Sequence, residues 1–282
     1  MAKNEFGGVW TRVKLDILEK YLHAYTTALG SQNFVLHYAD AFAGTGEHNQ
    51  KSPEDQLNLI APDDFLGSVK TALNIEPGFH KYHFNDLNKE FAADLQQIKL
   101  EHREKSIEVS QQDANEFVRE FCSSLKKNDR AVLFLDPFSS QLNWETLREV
   151  AKTEKVDLWL LFPISVIVRM TPTTEDRIRP EWSKKLNILL GTQEWQKALY
   201  AEKKKPLIED LFGNNDTNTK ERINVDELEQ WISDRLGELF AYVAKPVPLK
   251  NRNTTLFLFY FAVSNRSPKA IALANRVVNY IL

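Results

Sequence analysis

The feature that most constrains this 282-residue chain is a regular alternation of apolar runs and amphipathic segments between residues 34 and 162. FVLHYADAF (34–42), HKYHFND (80–86), SIEVSQQD (106–113), RAVLFLD (130–136) and VDLWLLF (156–162) read as strands. Segments 89–102, 116–126 and 143–153, lying between the later runs, read as helices. Strands separated by helices of this length imply right-handed crossovers and a parallel, doubly wound sheet. The unbroken apolarity of RAVLFLD suits a central strand covered on both faces.

The flanks complete the architecture. Leu15, Leu18, Leu22, Tyr25 and Leu29 step by three and four, so 11–29 is expected to be a helix that ends at Gly30. A polar insertion, HNQKSPEDQLNLIAPDD, separates the first strand from a helix beginning at Ser68. Beyond Phe162 the pattern breaks into proline-bounded helical pieces, and this insertion of about 165–222 is expected to form a lid or a substrate platform. A helix over 225–240, two strand runs joined by a polar turn around Asn251–Asn253 and a helix from Pro268 to Ile281 follow. The expectation is one α/β domain over 1–282 with a mostly parallel, seven-stranded sheet closed by a C-terminal antiparallel hairpin.

Composition removes several function classes. The longest apolar stretch, Val156–Val168, contains Asp157 and Pro163 and is too short to span a bilayer. The N-terminus has no apolar signal region, and Cys122 is the lone cysteine, so a cytoplasmic protein without disulfides is expected. No two of the six histidines stand four apart, so no helical zinc site is expected and no metal is assigned. A net charge of -3 argues against coating nucleic acid by charge alone, while leaving local basic patches open.

In an open α/β sheet the ligand lies beyond the carboxyl ends of the strands. The first candidate strand ends in Asp40-Ala-Phe42-Ala-Gly44-Thr-Gly46, where glycines let backbone pass close beneath a ligand or simply make a turn. Asn49 stands where a dinucleotide fingerprint needs its third glycine. The second ends in Asp86-Leu87, where the carboxylate either accepts from ribose hydroxyls or caps the next helix. The third ends in Asp113-Ala114, where the carboxylate accepts from an adenine amine or acts as an N-cap. The fourth ends in Asp136-Pro137-Phe138: a carboxylate to accept from an amine and an aromatic to stack a base, or a turn with a core Phe. Four successive strand ends with acidic or glycine features match a nucleoside carrying an amino-acid tail, S-adenosylmethionine (SAM).

These residues also carry a family likeness. The order D-x-F-A-G-x-G, an acidic end to the second strand, D-A after the third and D-P-F after the fourth resembles class I SAM-dependent methyltransferases. More closely, VKLDILEKYLHAY, YADAFAGTG, LGSVKTALN, FLDPFSSQLNWETL, LLGTQEWQKAL and LFLFYFAVSNRSPKAIALANRVV resemble the three-Cys-motif partner proteins. The likeness implies a Rossmann-like methyltransferase fold with SAM as cofactor. Asp40, Phe42, Gly44 and Gly46 would cradle its methionine end, Asp86 with Leu87 its ribose, and Asp113 and Ala114 its adenine. Asp136, Pro137 and Phe138 would face the methyl acceptor. D-P-F is also similar to the fourth motif of tRNA guanine-N2 dimethyltransferases, which implies methylation of an exocyclic amine in RNA or DNA. The alternative is a non-catalytic SAM-binding partner of a three-Cys-motif protein or of a modification or defence system. Arg169, Arg177, Arg179, Lys184, Lys185 and Lys203–Lys205 mark a candidate nucleic-acid groove diluted by Glu175, Asp176 and Glu181.

Overall fold

The computed structural model describes residues 8–44, 67–202 and 220–282. Its first half runs α1 (Gly8–Leu29), β1 (Val35–Asp40), α2 (Gly67–Leu73), β2 (Lys81–Asn85), α3 (Lys89–Glu101), β3 (Ile107–Ser110), α4 (Ala114–Ser124), β4 (Asp129–Leu135), α5 (Trp144–Lys152) and β5 (Val156–Phe162). The second half runs α6 (Ile164–Met170), a 3-10 turn at Glu175–Arg177, α7 (Pro180–Leu190), α8 (Trp195–Leu199), β6 (Tyr200–Glu202), β7 (Lys220–Arg222), α9 (Val225–Leu239), β8 (Tyr242–Val243), β9 (Val247–Asn251), β10 (Thr254–Val263) and α10 (Pro268–Ile281). Gly46, the insertion after it and Lys203–Lys205 lie outside the described residues.

The main sheet has the order β3-β2-β1-β4-β5-β10-β8. Its first five strands are parallel and β10 is antiparallel to β5. This is a Rossmann-like α/β fold, with the order reversing between β1 and β4. One detail departs from the expected seven strands. The final position is shared by β8 and β9, both paired with β10, which makes eight. Pro246 and Pro248 explain the break: without N–H groups they cannot sustain a continuous ladder.

Side-chain alternation divides the core into two layers. Tyr38, Val132, Phe134, Trp159 and Leu161 pack with residues of α1, α2 and α10. Ala39, Leu133, Leu135, Leu158 and Leu160 pack with residues of α4, α5 and the helices after β5. Strands sandwiched this way have no solvent face, which is why their sequences are apolar runs and not alternating patterns. The segment from α6 to α8 belongs to the second layer, burying Leu186, Leu189, Leu190 and Trp195 in the cluster that the sheet supplies. It is anchored at Gly191, whose φ of 63° ends α7 and whose missing Cβ leaves room for the Trp144 ring.

No helix among the described residues is long and apolar enough to cross a membrane. The described residues contain no group of three or more His, Cys, Asp or Glu side chains placed to hold a metal ion.

Candidate functional site

The switch in strand order places the ends of β1 and β4 side by side, and their last even-numbered residues face α1 and α2. Asp40 closes β1 and is fully buried. Its Oδ2 accepts from Ser68 Oγ on α2 at 2.7 Å, and its Oδ1 accepts from the Phe42 amide at 3.1 Å. Burial pushes its pKa up to about 7, and the nearby negative charge of Asp136 adds to the rise against the pull of those two bonds and of Lys14.

Asp136 follows β4. Its Oδ2 accepts from Lys14 Nζ at 2.7 Å, and both side chains are about nine-tenths shielded from solvent. The Lys14 ammonium also lies 5.6 Å from the Trp10 ring centre and 5.8 Å from that of Phe134. Pro137 is buried and Phe138 half-buried. Ser139 next to them has φ 59°, a left-handed conformation that is uncommon for residues other than glycine. The D-P-F exit is therefore followed by a bend that is held in place by its surroundings.

Two buried asparagines brace the strand ends and the chain that follows this bend. Asn85, the last residue of β2, donates Nδ2 to Ala41 O and Gln112 O, both at 3.1 Å. Its Oδ1 accepts from Ser110 Oγ at 2.9 Å and the Gln112 amide at 3.2 Å, so one amide group staples the ends of β1, β2 and β3. Asn115 on α4 donates to Gln141 O at 2.9 Å and accepts from the Asn143 amide and Thr146 Oγ1, fixing the far side of the Phe138–Ser139 bend. Both donor and both acceptor positions of the Asn85 amide are filled, and so are both acceptor positions and one donor of Asn115, which makes both residues expensive to replace.

The remaining sequence candidates divide. Asp86 Oδ2 accepts from the Gly44 amide at 3.0 Å and its Oδ1 from the Asn88 amide at 2.8 Å, so it shapes the glycine loop. Asp113 is exposed and caps α4, with Oδ1 accepting from the amides of Asn115 and Glu116. Ala114 is buried, Phe42 is half-buried against the α4 layer, and Leu87 stands 56% exposed beside Asp86. Arg177, Arg179, Lys184 and Lys185 are exposed and Arg169 half-buried; the Arg179 guanidinium stacks on Trp182 at 4.6 Å.

No family model and no curated protein matches this chain. Among solved structures it is similar to a Legionella pneumophila protein of family DUF519, at 13% identity and a TM-score of 0.49 over 99% of this chain and 94% of that one. It is also similar to the magnesium protoporphyrin IX methyltransferase of Synechocystis, solved with bound SAM, at 10% identity and a TM-score of 0.37 over 93% and 86% of the two chains. A third similarity is to the bifunctional kinase-methyltransferase WbdD, at 11% identity and a TM-score of 0.43 over 89% of this chain and 39% of that one. This chain thus spans well under half the length of WbdD.

Three residues at this edge escape a reading by strand ends. Lys14 has a signal: with Trp10, Leu18, Tyr21 and Tyr25 it falls on the buried stripe of α1, where a lysine needs a partner. Asn85 and Asn115 are polar residues adjoining or near the noted acids Asp86 and Asp113. Their role as staples emerges only from the contacts between strands.

Proposed function

We propose that this protein is a SAM-dependent methyltransferase acting on an exocyclic amine of a nucleobase in RNA or DNA. The observation that carries the reading is Asp136 at the end of β4, with one carboxylate oxygen held by Lys14, Phe138 beside it, and the buried Asp40 across the switch point. The residues suit the cofactor. A fully buried carboxylate that no cation among the described residues contacts directly is stabilised by an incoming ammonium group, which makes Asp40 a partner for the amino-acid tail. Leu87 offers an exposed apolar surface next to Asp86, where the ribose would lie. Gly44 and Phe42 belong to the turn after β1, beneath the tail.

SAM when bound supplies an electrophilic methyl group. Asp136 Oδ1, the oxygen not engaged by Lys14, accepts a hydrogen bond from the substrate amine and turns the nitrogen lone pair toward that methyl. As the methyl passed from the sulfonium sulfur to the amine nitrogen, leaving a neutral thioether, the amine would give up one proton, which Asp136 Oδ1 would accept for release to solvent. Phe138 stacks on the base plane, and Pro137 fixes the backbone between the two. Lys14 holds the other oxygen of the carboxylate and limits its rotation.

The test is calorimetry with SAM followed by incubation of total RNA and DNA with tritiated SAM. The reading expects SAM binding, label in one polymer, and a loss of about 10²-fold or more in transfer for Asp136→Ala with SAM affinity within about threefold of the native value. Absence of SAM binding would end it. One observation favours a second reading, a non-catalytic SAM-binding partner of a three-Cys-motif protein: the Lys14–Asp136 pair neutralises the carboxylate assigned to the amine. SAM binding without label, together with copurification of a three-Cys-motif protein, would select it.

A further inference from the structure

We propose that a cleft between α1 and α10, at the sheet edge opposite Asp40 and Asp136, binds a small amphipathic anion with an apolar body and a single carboxylate or phosphate head. The cleft has a volume of about 420 Å³, within the range of small-molecule sites. Its walls are apolar, with Ala24, Ala28 and Leu29 from α1 and Leu273, Ala274 and Val277 from α10. Alanines at 24 and 28 on one helix and at 270 and 274 on the other leave room that larger side chains would close. Native interiors keep few such voids.

The floor differs in character. Arg130 at the start of β4, Lys155 before β5 and Lys269 in the first turn of α10 all line the cleft, against one carboxylate, Asp157. Asp157 Oδ2 already accepts from Tyr21 at 2.6 Å. Arg130 stacks at 4.3 Å on Phe34 and gives Nη1 to the carbonyls of Lys127 and Asp129, while Lys155 Nζ donates to Leu125 O. Among the described residues no carboxylate lies within ion-pair distance of these three cations. Two of the three are half-buried, where an unpaired charge keeps little water and favours an anionic partner. An apolar trough leading to surplus positive charge selects a molecule built the same way in reverse.

The cleft does not depend on the SAM reading. Lys14 and Tyr21, the nearest α1 residue lining the cleft, are seven residues apart, so the two sites are separated by roughly 10 Å along the helix.

Calorimetry on the full chain with decanoate and decyl phosphate tests the proposal and distinguishes the two head groups. Decanol and decyltrimethylammonium serve as neutral and cationic controls, all at monomeric concentrations. Saturable binding of at least one anion is expected, with the controls weaker by about tenfold or more. Arg130→Gln and the exposed Lys269→Gln should each weaken anion binding several-fold, and Ala28→Phe, which fills the trough, should abolish it. SAM binding should be unchanged in Lys269→Gln. No binding of either anion, equal binding of the cationic control, or unchanged affinity in both charge variants would overturn the assignment. Should Ala28→Phe fail to fold, Lys269→Gln retains the decisive comparison because its side chain lies on an exposed turn.

Discussion

Asp40 and Lys14 show how single residues at this edge act through their neighbours. With Asp40 ionising near 7, a cationic amino-acid tail must bind its deprotonated form, so SAM affinity is expected to weaken by up to tenfold per pH unit below about 7 and to level off above 8. Asp40→Asn should flatten that profile in calorimetry between pH 6 and 8.5; an unchanged slope would assign the titration to another group. Lys14 makes a different prediction, one about stability. Removing one member of a shielded ion pair strands the other charge, so Lys14→Met should lose about 3 kcal/mol in urea unfolding. Lys14→Met combined with Asp136→Asn should recover much of that loss, and additive losses would mean that the pair is not coupled. The strand-end acids are legible in the sequence because acidic residues directly follow apolar runs. Lys14 signals by its place on the apolar stripe of α1 that it needs a partner, but which partner is not legible, because Asp136 stands 122 residues away in the chain.

At the scale of elements, two glycines that look alike in sequence have opposite roles. Gly191 closes α7 with a positive φ, and a Cβ there would lie 2.4 Å from the Trp144 ring on α5. Gly191→Ala therefore combines backbone strain with a clash in a packed layer and should destabilise the protein by about 2–4 kcal/mol. Gly237 is exposed in the last turn of α9, and a Cβ there would meet no atom within 4 Å. Gly237→Ala should stabilise by about 0.5–1 kcal/mol through helix propensity. Paired thermal or urea melts would check both signs. The five parallel strands are legible in the sequence to within a few residues, since burial on both faces leaves an unmistakable apolar run. The third strand is shortest relative to expectation because Gln112, expected to extend it, instead gives its amide and carbonyl to Asn85. The broken arm of β8 and β9 follows from two prolines whose effect on the ladder depends on which strand lies alongside.

Across the whole molecule, buried titratable groups oppose one another. On the α4 side of the sheet, His37 Nδ1 and His83 Nε2 are 3.0 Å apart, with Glu108 at 3.1 Å from His83 and Asp129 at 3.5 Å from His37, the latter contact too poorly aligned to count as a hydrogen bond. Burial lowers the pKa of both histidines despite the two carboxylates. As pH falls below about 6.5 the unfolded chain is protonated first, so the stability these rings contribute is complete above that value and lost on acidification. Asp40 and Asp157, raised by burial to about 7 and about 6, have the reverse effect. The folded chain keeps protons that the unfolded chain has released, so their contribution is complete below about 3.9 and lost as pH rises through 6 and 7. The slopes oppose one another between about pH 4.5 and 8: the fall as Asp157 and Asp40 ionise is offset by the rise as the unfolded histidines lose their protons, so the four groups together change stability less than either pair would alone. His83→Gln removes one opposing proton. Its stability relative to the native chain should rise by up to about 1.4 kcal/mol for each pH unit lowered from 6.5, read from urea midpoints at half-unit intervals. Parallel curves for the two proteins would mean that His83 takes up its proton equally in the folded and unfolded chains, and that the balance with Asp40 and Asp157 is struck elsewhere.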